Sequence, residues 1–242
     1  MLLENYRNEY VYKNLLTSSI KSKETTNNYA LFSEMDIGTN SRLDIAHFSS
    51  TNHAYEIKTE LDSLARLEKQ LSDYKKGFEC VWTVIPESKL NKLLLSVSSD
   101  IGIKILDDNN NLHTYREAKS ELGNVTHGGL FSLLREKEFL LLLQIHYGHE
   151  FNCQSHETQK ILMSMFEAIN IEQAHKYSVN IIKQRILQRK FSLLINNSPN
   201  SLLSIGLNPS IQKDAKKFLS FLDSSISNFE NHINMVCHGK LF

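Results

Sequence analysis

Short strand-like runs alternate with helix-like segments in residues 1–125, whereas residues 126–242 show apolar residues at helical spacing almost throughout. Strands that are separated by helices usually pair in parallel, so this order predicts an α/β core for the first half. Glycine pairs in residues 123–129 interrupt the pattern and mark the boundary. We therefore expect two domains, an α/β domain over residues 1–125 and an all-α helical domain over residues 126–242.

The individual elements follow from local signals. In the first half the apolar patterns predict an order of helix, three strands, helix, strand, helix and strand, over residues 2–20, 29–37, 42–48, 54–58, 62–76, 80–85, 87–97 and 102–106. Asp62 has the side chain of a helix N-cap, and Gly77 is expected to end that helix. In the second half the same criteria predict helices over residues 129–147, 158–169, 171–194 and 209–235.

Composition excludes several classes of protein. The three cysteines are too few and too scattered for a disulfide framework. The longest apolar run, residues 139–145, is far shorter than the roughly 20 residues that span a bilayer. These features predict a cytoplasmic protein with no membrane partner. Lys plus Arg and Asp plus Glu are both 27, so the total charge gives no sign of a polyanionic partner.

One pair of neighbouring strands carries candidate chemistry. Asp44 lies on the first strand of a predicted hairpin, and Glu56-Ile57-Lys58 follows on the second. Because side chains alternate along a strand, Glu56 and Lys58 project from one face, and the hairpin can bring Asp44 close to Glu56. Two adjacent carboxylates repel each other unless a cation or a proton lies between them. Magnesium meets this need, and Lys58 beside it can orient an attacking water.

The next predicted helix strengthens this interpretation. Gln70 and Tyr74 are four residues apart and so share one flank of the helix, beside its apolar stripe. A Gln at the edge of a buried face needs polar partners, which the carboxylates or a phosphate can supply. The alternative for the whole set is ordinary surface, because Glu and Lys that alternate on an exposed strand are usually solvated.

Taken together, Asp44, Glu56-Ile57-Lys58 and the Gln70 to Tyr74 spacing resemble the motifs of the PD-(D/E)XK nuclease superfamily, in particular its RecB-like branch. The resemblance covers roughly residues 4–106 and extends to small bacterial proteins in which this core precedes a helical region. It implies a restriction-endonuclease-like mixed sheet flanked by helices, and metal-dependent hydrolysis of DNA phosphodiester bonds.

The resemblance also implies a role for each matching residue. Asp44, Glu56 and the Ile57 carbonyl would hold Mg²⁺ or Mn²⁺, Lys58 would position the water, and Gln70 and Tyr74 would support the site or the nucleic acid. A further acidic residue would complete the cluster, with Glu34 slightly preferred over Glu9 and Asp36 as a third choice.

A basic cluster in the helical half is the candidate contact for nucleic-acid phosphates. It comprises Lys176, Lys183, Arg185, Arg189 and Lys190, although a solvated helix face explains the cluster equally well. The expected partner is DNA, with RNA as an open alternative, and a homodimer is the economical way to cut both strands of a duplex. Phage defence, restriction and DNA repair are the pathways that the resemblance suggests. The rival hypothesis is a non-catalytic module on a nuclease-like core that binds nucleic acid or protein in an immunity or regulatory role.

Overall fold

The computed structural model describes residues 7–26, 28–38, 42–153, 155–187 and 207. Six strands and three α-helices form the first half. In chain order they are α1 (Glu9–Lys23), β1 (Ala30–Asp36), β2 (Arg42–Phe48), β3 (Asn52–Ile57), α2 (Leu67–Lys75), β4 (Cys80–Pro86), α3 (Leu90–Leu94), β5 (Gly102–Leu106) and β6 (Leu112–Arg116). Short 3₁₀ turns occupy Glu87–Lys89 and Leu122–Asn124.

The strands form one mixed sheet in the order β1-β2-β3-β4-β5-β6. Pairing is antiparallel between β1, β2 and β3, parallel from β3 through β4 to β5, and antiparallel again between β5 and β6. Every residue of β4 and β5 is buried, as expected for parallel strands that are covered on both faces. The predicted parallel pairing of the later strands is confirmed.

The register aligns acidic residues across the antiparallel part of the sheet. Ile45 on β2 lies opposite Tyr55 on β3, so the next pair along the two strands is Asp44 and Glu56. Helices α1 and α2 both place side chains over the face that carries these two carboxylates. The opposite face has an aromatic row instead, in which Tyr55 and Trp82 stack with ring centroids 5.8 Å apart.

The second half of the described chain is helical. Its elements are α4 (His127–Leu133), α5 (Glu136–Tyr147), α6 (His156–Glu167) and α7 (Ile171–Leu187). Phe139, Leu142 and Phe166 are among the buried residues of a separate small core. Helix α7 contacts α4 and α5 and also β1 and β2, and its residues Val179 and Ile182 join the core of the sheet. This helix therefore ties the helical region to the sheet.

Three predicted elements differ from the structure. The predicted helix over residues 87–97 is a 3₁₀ turn, Glu87–Lys89, followed by α3, which ends at Leu94. The predicted helix over residues 129–147 is two helices, because Leu134 and Arg135 are extended and the Arg135 N–H donates to the Glu138 carboxylate, 2.8 Å away. Asp62 does not cap α2, which begins five residues later. Its carboxylate instead accepts the Thr59 N–H at 2.8 Å and closes the turn after β3.

Strand β6 was not among the predicted elements. Its burial alternates between half-buried and exposed, and its residues are mostly polar, so its apolar content is too low to mark a strand. The predicted helix over residues 209–235, and the continuation of α7 to residue 194, lie outside the described residues. No helix in the described ranges has the length and apolar character needed to span a bilayer.

Candidate active site

Asp44 and Glu56 stand side by side at one end of β2 and β3. The Asp44 carboxylate accepts the backbone N–H of Ile57 at 2.8 Å, which fixes it next to the end of β3. Burial and, after it, the negative charge of Glu56 raise the pKa of Asp44 to about 8, although the Lys13 ammonium and the Ile57 N–H act in the opposite direction. Two carboxylates therefore share a site in which both cannot be charged without a compensating cation.

Glu56 is held by three side-chain donors. Lys58 Nζ lies 2.6 Å and Gln70 Nε2 lies 2.5 Å from its Oε1, and the Tyr74 hydroxyl donates to its Oε2 at 2.6 Å. Glu56 is only 2% exposed, so these donors compensate for the water that its carboxylate loses. Burial and the neighbouring carboxylate of Glu56 raise the pKa of Tyr74, which keeps its hydroxyl protonated as a donor. The structure thus brings together the strand residues and the helix residues of the predicted motif.

A second group of carboxylates meets Asp44 from the other side. Ligand oxygens of Glu9, Glu34 and Asp44 all lie within 4.8 Å of one another. Glu9 comes from the first turn of α1 and Glu34 from β1. Asp36, the third choice from the sequence, is exposed and accepts the Gly38 N–H at 2.9 Å, away from this group.

Glu34 occupies a backbone conformation that L-residues rarely adopt. Its φ is +55°, although it lies within a strand and opposite Asp44 in the register of β1 and β2. Such a conformation costs on the order of 1–3 kcal/mol and persists only where the surrounding structure enforces it. The pairing of Met35 with Leu43 and of Asp36 with Arg42 continues beyond it, so the strand is not interrupted. The strain places an acidic side chain next to Asp44.

Lys13 is the member of this site that the sequence analysis missed. Its ammonium forms ion pairs with Glu34 and with Glu9 Oε1, the latter at 2.5 Å, and lies 3.6 Å from Asp44 Oδ1. Burial opposes its charge, but the hydrogen bonds with Glu34 and Glu9 outweigh this effect and hold its pKa above the usual value. The one signal in the sequence was the spacing of four between Glu9 and Lys13 on a helix.

The donor set fits a divalent cation. Hard oxygen ligands from Asp44, Glu9 and Glu34 converge, and an ammonium already lies among them, which shows that this position attracts positive charge. Gln70 Oε1 is buried and has no hydrogen-bond partner within the described ranges, so it remains as an acceptor beside Glu56. Glu56 itself is engaged by protein donors and is therefore not part of the converging group. Ile57, whose carbonyl the resemblance makes a ligand, ends β3 beside Asp44.

The basic cluster on α7 is not one exposed face. Lys183 is buried at 7% exposure, and burial lowers its pKa although Glu24 opposes this effect. Arg185 forms hydrogen bonds with the Glu138 carboxylate and donates to the Leu133 carbonyl at 2.6 Å. Only Lys176 of the described members is exposed.

Arg189 and Lys190, the other two members of the predicted cluster, lie outside the described residues. The described part of α7 therefore uses its basic residues mainly for packing, and the predicted phosphate-contacting stripe does not form from them. One lysine outside that cluster contacts the loop next to the site. Lys89 donates to the Thr59 carbonyl at 2.6 Å in the loop that follows Lys58.

The fold and the site define a mixed α/β protein whose sheet carries a partly exposed, lysine-bearing cluster of carboxylates. The chain belongs to the family of the bacteriophage P4 protein cII, because the model of that family matches residues 3–205. Protein cII of Enterobacteria phage P4 is 28% identical over 149 residues, which cover 60% of this chain and 54% of the phage protein. The chain thus spans about half the length of this curated relative.

Among solved structures, the chain is similar to the SPO1766 protein of unknown function from Silicibacter pomeroyi. The sequence identity is 12%, the TM-score is 0.37, and the match covers 67% of this chain and 85% of that one. A similarity at this level supports no conclusion about function. The names of these relatives do not mention a nuclease, so the nuclease resemblance stays a prediction.

Proposed function

We propose that the protein is a metal-dependent phosphodiester hydrolase that acts on nucleic acid, with DNA as the expected substrate. The observation that carries this proposal is the alignment of Asp44 opposite Glu56, with Lys58 held at 2.6 Å from the Glu56 carboxylate. Nuclease chemistry needs carboxylates for a cation and a nearby positive charge for the water or the phosphate. Mg²⁺ or Mn²⁺, when bound, would supply a Lewis acid and an activated water.

The residues of the chain divide this work. Asp44, with Glu9 and Glu34, would hold the cation, because their oxygens already converge. Lys58 would orient the nucleophile or stabilise charge on the phosphate, since its ammonium is fixed next to the carboxylates. Gln70 and Tyr74 are positioning residues, because their contacts are with Glu56.

A second candidate is a non-catalytic module that binds nucleic acid or protein in a regulatory or immunity role. Membership of the phage P4 protein cII family supports this candidate more than it supports catalysis, because the name of that family refers to a phage protein and not to an enzyme. The contacts of Lys13 support it too, since an internal ammonium already compensates part of the carboxylate charge. Under this proposal the same face of the sheet would be a binding surface without turnover.

Cleavage assays with the purified chain separate the two candidates. The chain would be incubated with Mg²⁺, Mn²⁺ or EDTA and with each of several substrates. These are linear and circular DNA, each single-stranded and double-stranded, and RNA. Catalysis predicts cleavage that depends on the metal and is lost in Lys58→Ala. The matched control is Lys119→Ala, which removes the same charge from an exposed residue near Asp100, at the opposite end of the parallel strands.

The outcomes are distinct for each candidate. Cleavage by the parent chain and by Lys119→Ala, but not by Lys58→Ala, supports the nuclease. If no substrate is cut with either metal while DNA or RNA still binds, catalysis is refuted and the binding module is supported. Equal cleavage by the parent chain and Lys58→Ala would refute the site assigned here. Roles in phage defence, restriction or DNA repair, a cytoplasmic location and a homodimer are proposals that depend on the first result.

A further inference from the structure

Lys13 lies among the carboxylates of the candidate site. Its side chain is 10% exposed, and its ammonium contacts Glu9 and Glu34 and approaches Asp44. Lys13 is one turn after Glu9 on α1, and the helix begins at Glu9, with the Asn8 side chain accepting the Val11 N–H. The helix therefore delivers one acid and one base to the same point over the sheet.

Three carboxyl groups meet one ammonium at this point, and Asp44 Oδ1, at 3.6 Å from Lys13 Nζ, is beyond hydrogen-bond range. The Arg42 guanidinium also pairs with Glu34, at 3.1 Å. A divalent cation would bind an oxygen of each of the three carboxylates, whereas the ammonium is within hydrogen-bond range of only two. Oxygen ligands bind such a cation at roughly 2.0–2.6 Å, so an ammonium and a metal cannot occupy the same position among these oxygens.

We propose that Lys13 is an internal cation that holds the carboxylates of Glu9, Glu34 and Asp44 together without metal and is displaced when a divalent cation binds them. This inference rests on the metal site of the proposed function. The Glu9 side chain is 52% exposed, so the Lys13 ammonium has a path to solvent along it. Lys13 thus sets the metal concentration at which the site fills.

The test measures metal binding rather than activity. Mn²⁺ and Ca²⁺ would be titrated calorimetrically into the full chain, and thermal unfolding would be followed with metal and with EDTA. In Lys13→Met, which keeps an unbranched stem without charge, we expect Mn²⁺ affinity to rise roughly tenfold or more. Without metal the variant should unfold at a lower temperature, because Glu9 and Glu34 lose their ion pairs with the ammonium. Metal should raise that temperature more than in the parent chain.

Lys23→Met is the matched control, because it removes the same charge from an exposed position on the same helix. It should bind Mn²⁺ like the parent chain. If Lys13→Met does not fold, Lys13→Gln is used in its place, because Gln keeps a hydrogen-bond donor. Lys13→Gln should also bind Mn²⁺ more tightly than the parent chain.

Each result has one meaning. If the parent chain binds metal and both Lys13 variants bind it equally or more weakly, the role of Lys13 is refuted while the metal site stands. If neither the parent chain nor the variants bind metal, the metal site is wrong and the inference falls with it. Binding by the variants alone would refute the displacement of Lys13 and identify it as a permanent substitute for the metal, in favour of the non-catalytic candidate.

Discussion

Asp44→Asn should make the metal-free protein more stable at neutral pH, although it removes a central residue of the site. The raised pKa of Asp44 means that the folded chain holds this proton more tightly than the unfolded chain does. The stabilising contribution is fully present below the unfolded pKa of 3.8 and is lost as pH rises towards about 8. Asn remains neutral throughout, and its oxygen can still accept the Ile57 N–H.

The magnitude follows from proton linkage. Between the two pKa values the stability of the parent chain falls by about 1.4 kcal/mol per pH unit through this group. From about pH 5.5 to about pH 7.5 the parent chain should therefore lose on the order of 2–3 kcal/mol relative to Asp44→Asn. Urea unfolding in EDTA at several pH values measures this difference directly, and the shared contribution of the other groups cancels.

Asp36→Asn is the control, because it changes charge equally on an exposed strand residue that lies away from the cluster. Its stability should follow the parent chain across this pH range. Parallel pH profiles for the parent chain and Asp44→Asn would refute the reasoning, since they would mean that Asp44 is already ionised in the folded state without a metal.

Two further predictions concern the backbone. Gly129→Ala should destabilise the fold by at least about 2 kcal/mol in urea unfolding, because the added Cβ would lie 1.9 Å from the Lys76 carbonyl oxygen. The control is Gly128→Ala, which should be as stable as the parent chain because the space around its Cβ is open. Equal stabilities would show that α4 does not pack this closely on the end of α2. Glu34→Gly should unfold at a higher midpoint temperature than Glu34→Gln. Both variants remove the carboxylate, but only Gly relieves the strain of the positive φ, which we expect to be worth about 1 kcal/mol of stability. A lower midpoint for Glu34→Gly would mean that the strain at Glu34 is absent.

Local patterns in the sequence were sufficient to predict which site residues lie close together, as long as these residues are also close along the chain. Asp44 and Glu56 belong to one hairpin, and strand alternation alone places Lys58 on the face of Glu56. Gln70 and Tyr74 needed only the helical repeat. The contact between that helix and Glu56 spans only 14 to 18 residues, because α2 is the first helix after β3.

Contacts between distant segments could not be predicted in the same way. Lys13 meets Glu34 across 21 residues and Asp44 across 31, and no local pattern reports how α1 crosses the sheet. The break between α4 and α5 is similar, because the Glu138 carboxylate that caps α5 is also held by Arg185 from α7, 47 residues away. In both cases a polar contact set by tertiary packing decides the local structure.

The carboxylates of the site are therefore of two kinds. Glu56 is saturated by three donors from the protein, so exchanging its partners for a metal would break several charge-assisted hydrogen bonds. Asp44, Glu9 and Glu34 lie around one ammonium, and under the proposed function a metal would replace it at lower cost because the flexible lysine would regain its hydration once it leaves. A metal would thus enter on the side of Lys13, while Glu56 keeps Lys58 fixed beside it. Under the proposed function the exchangeable ammonium of Lys13 and the fixed ammonium of Lys58 therefore contact different carboxylates, so that a metal could displace the first and leave the second in place for hydrolysis.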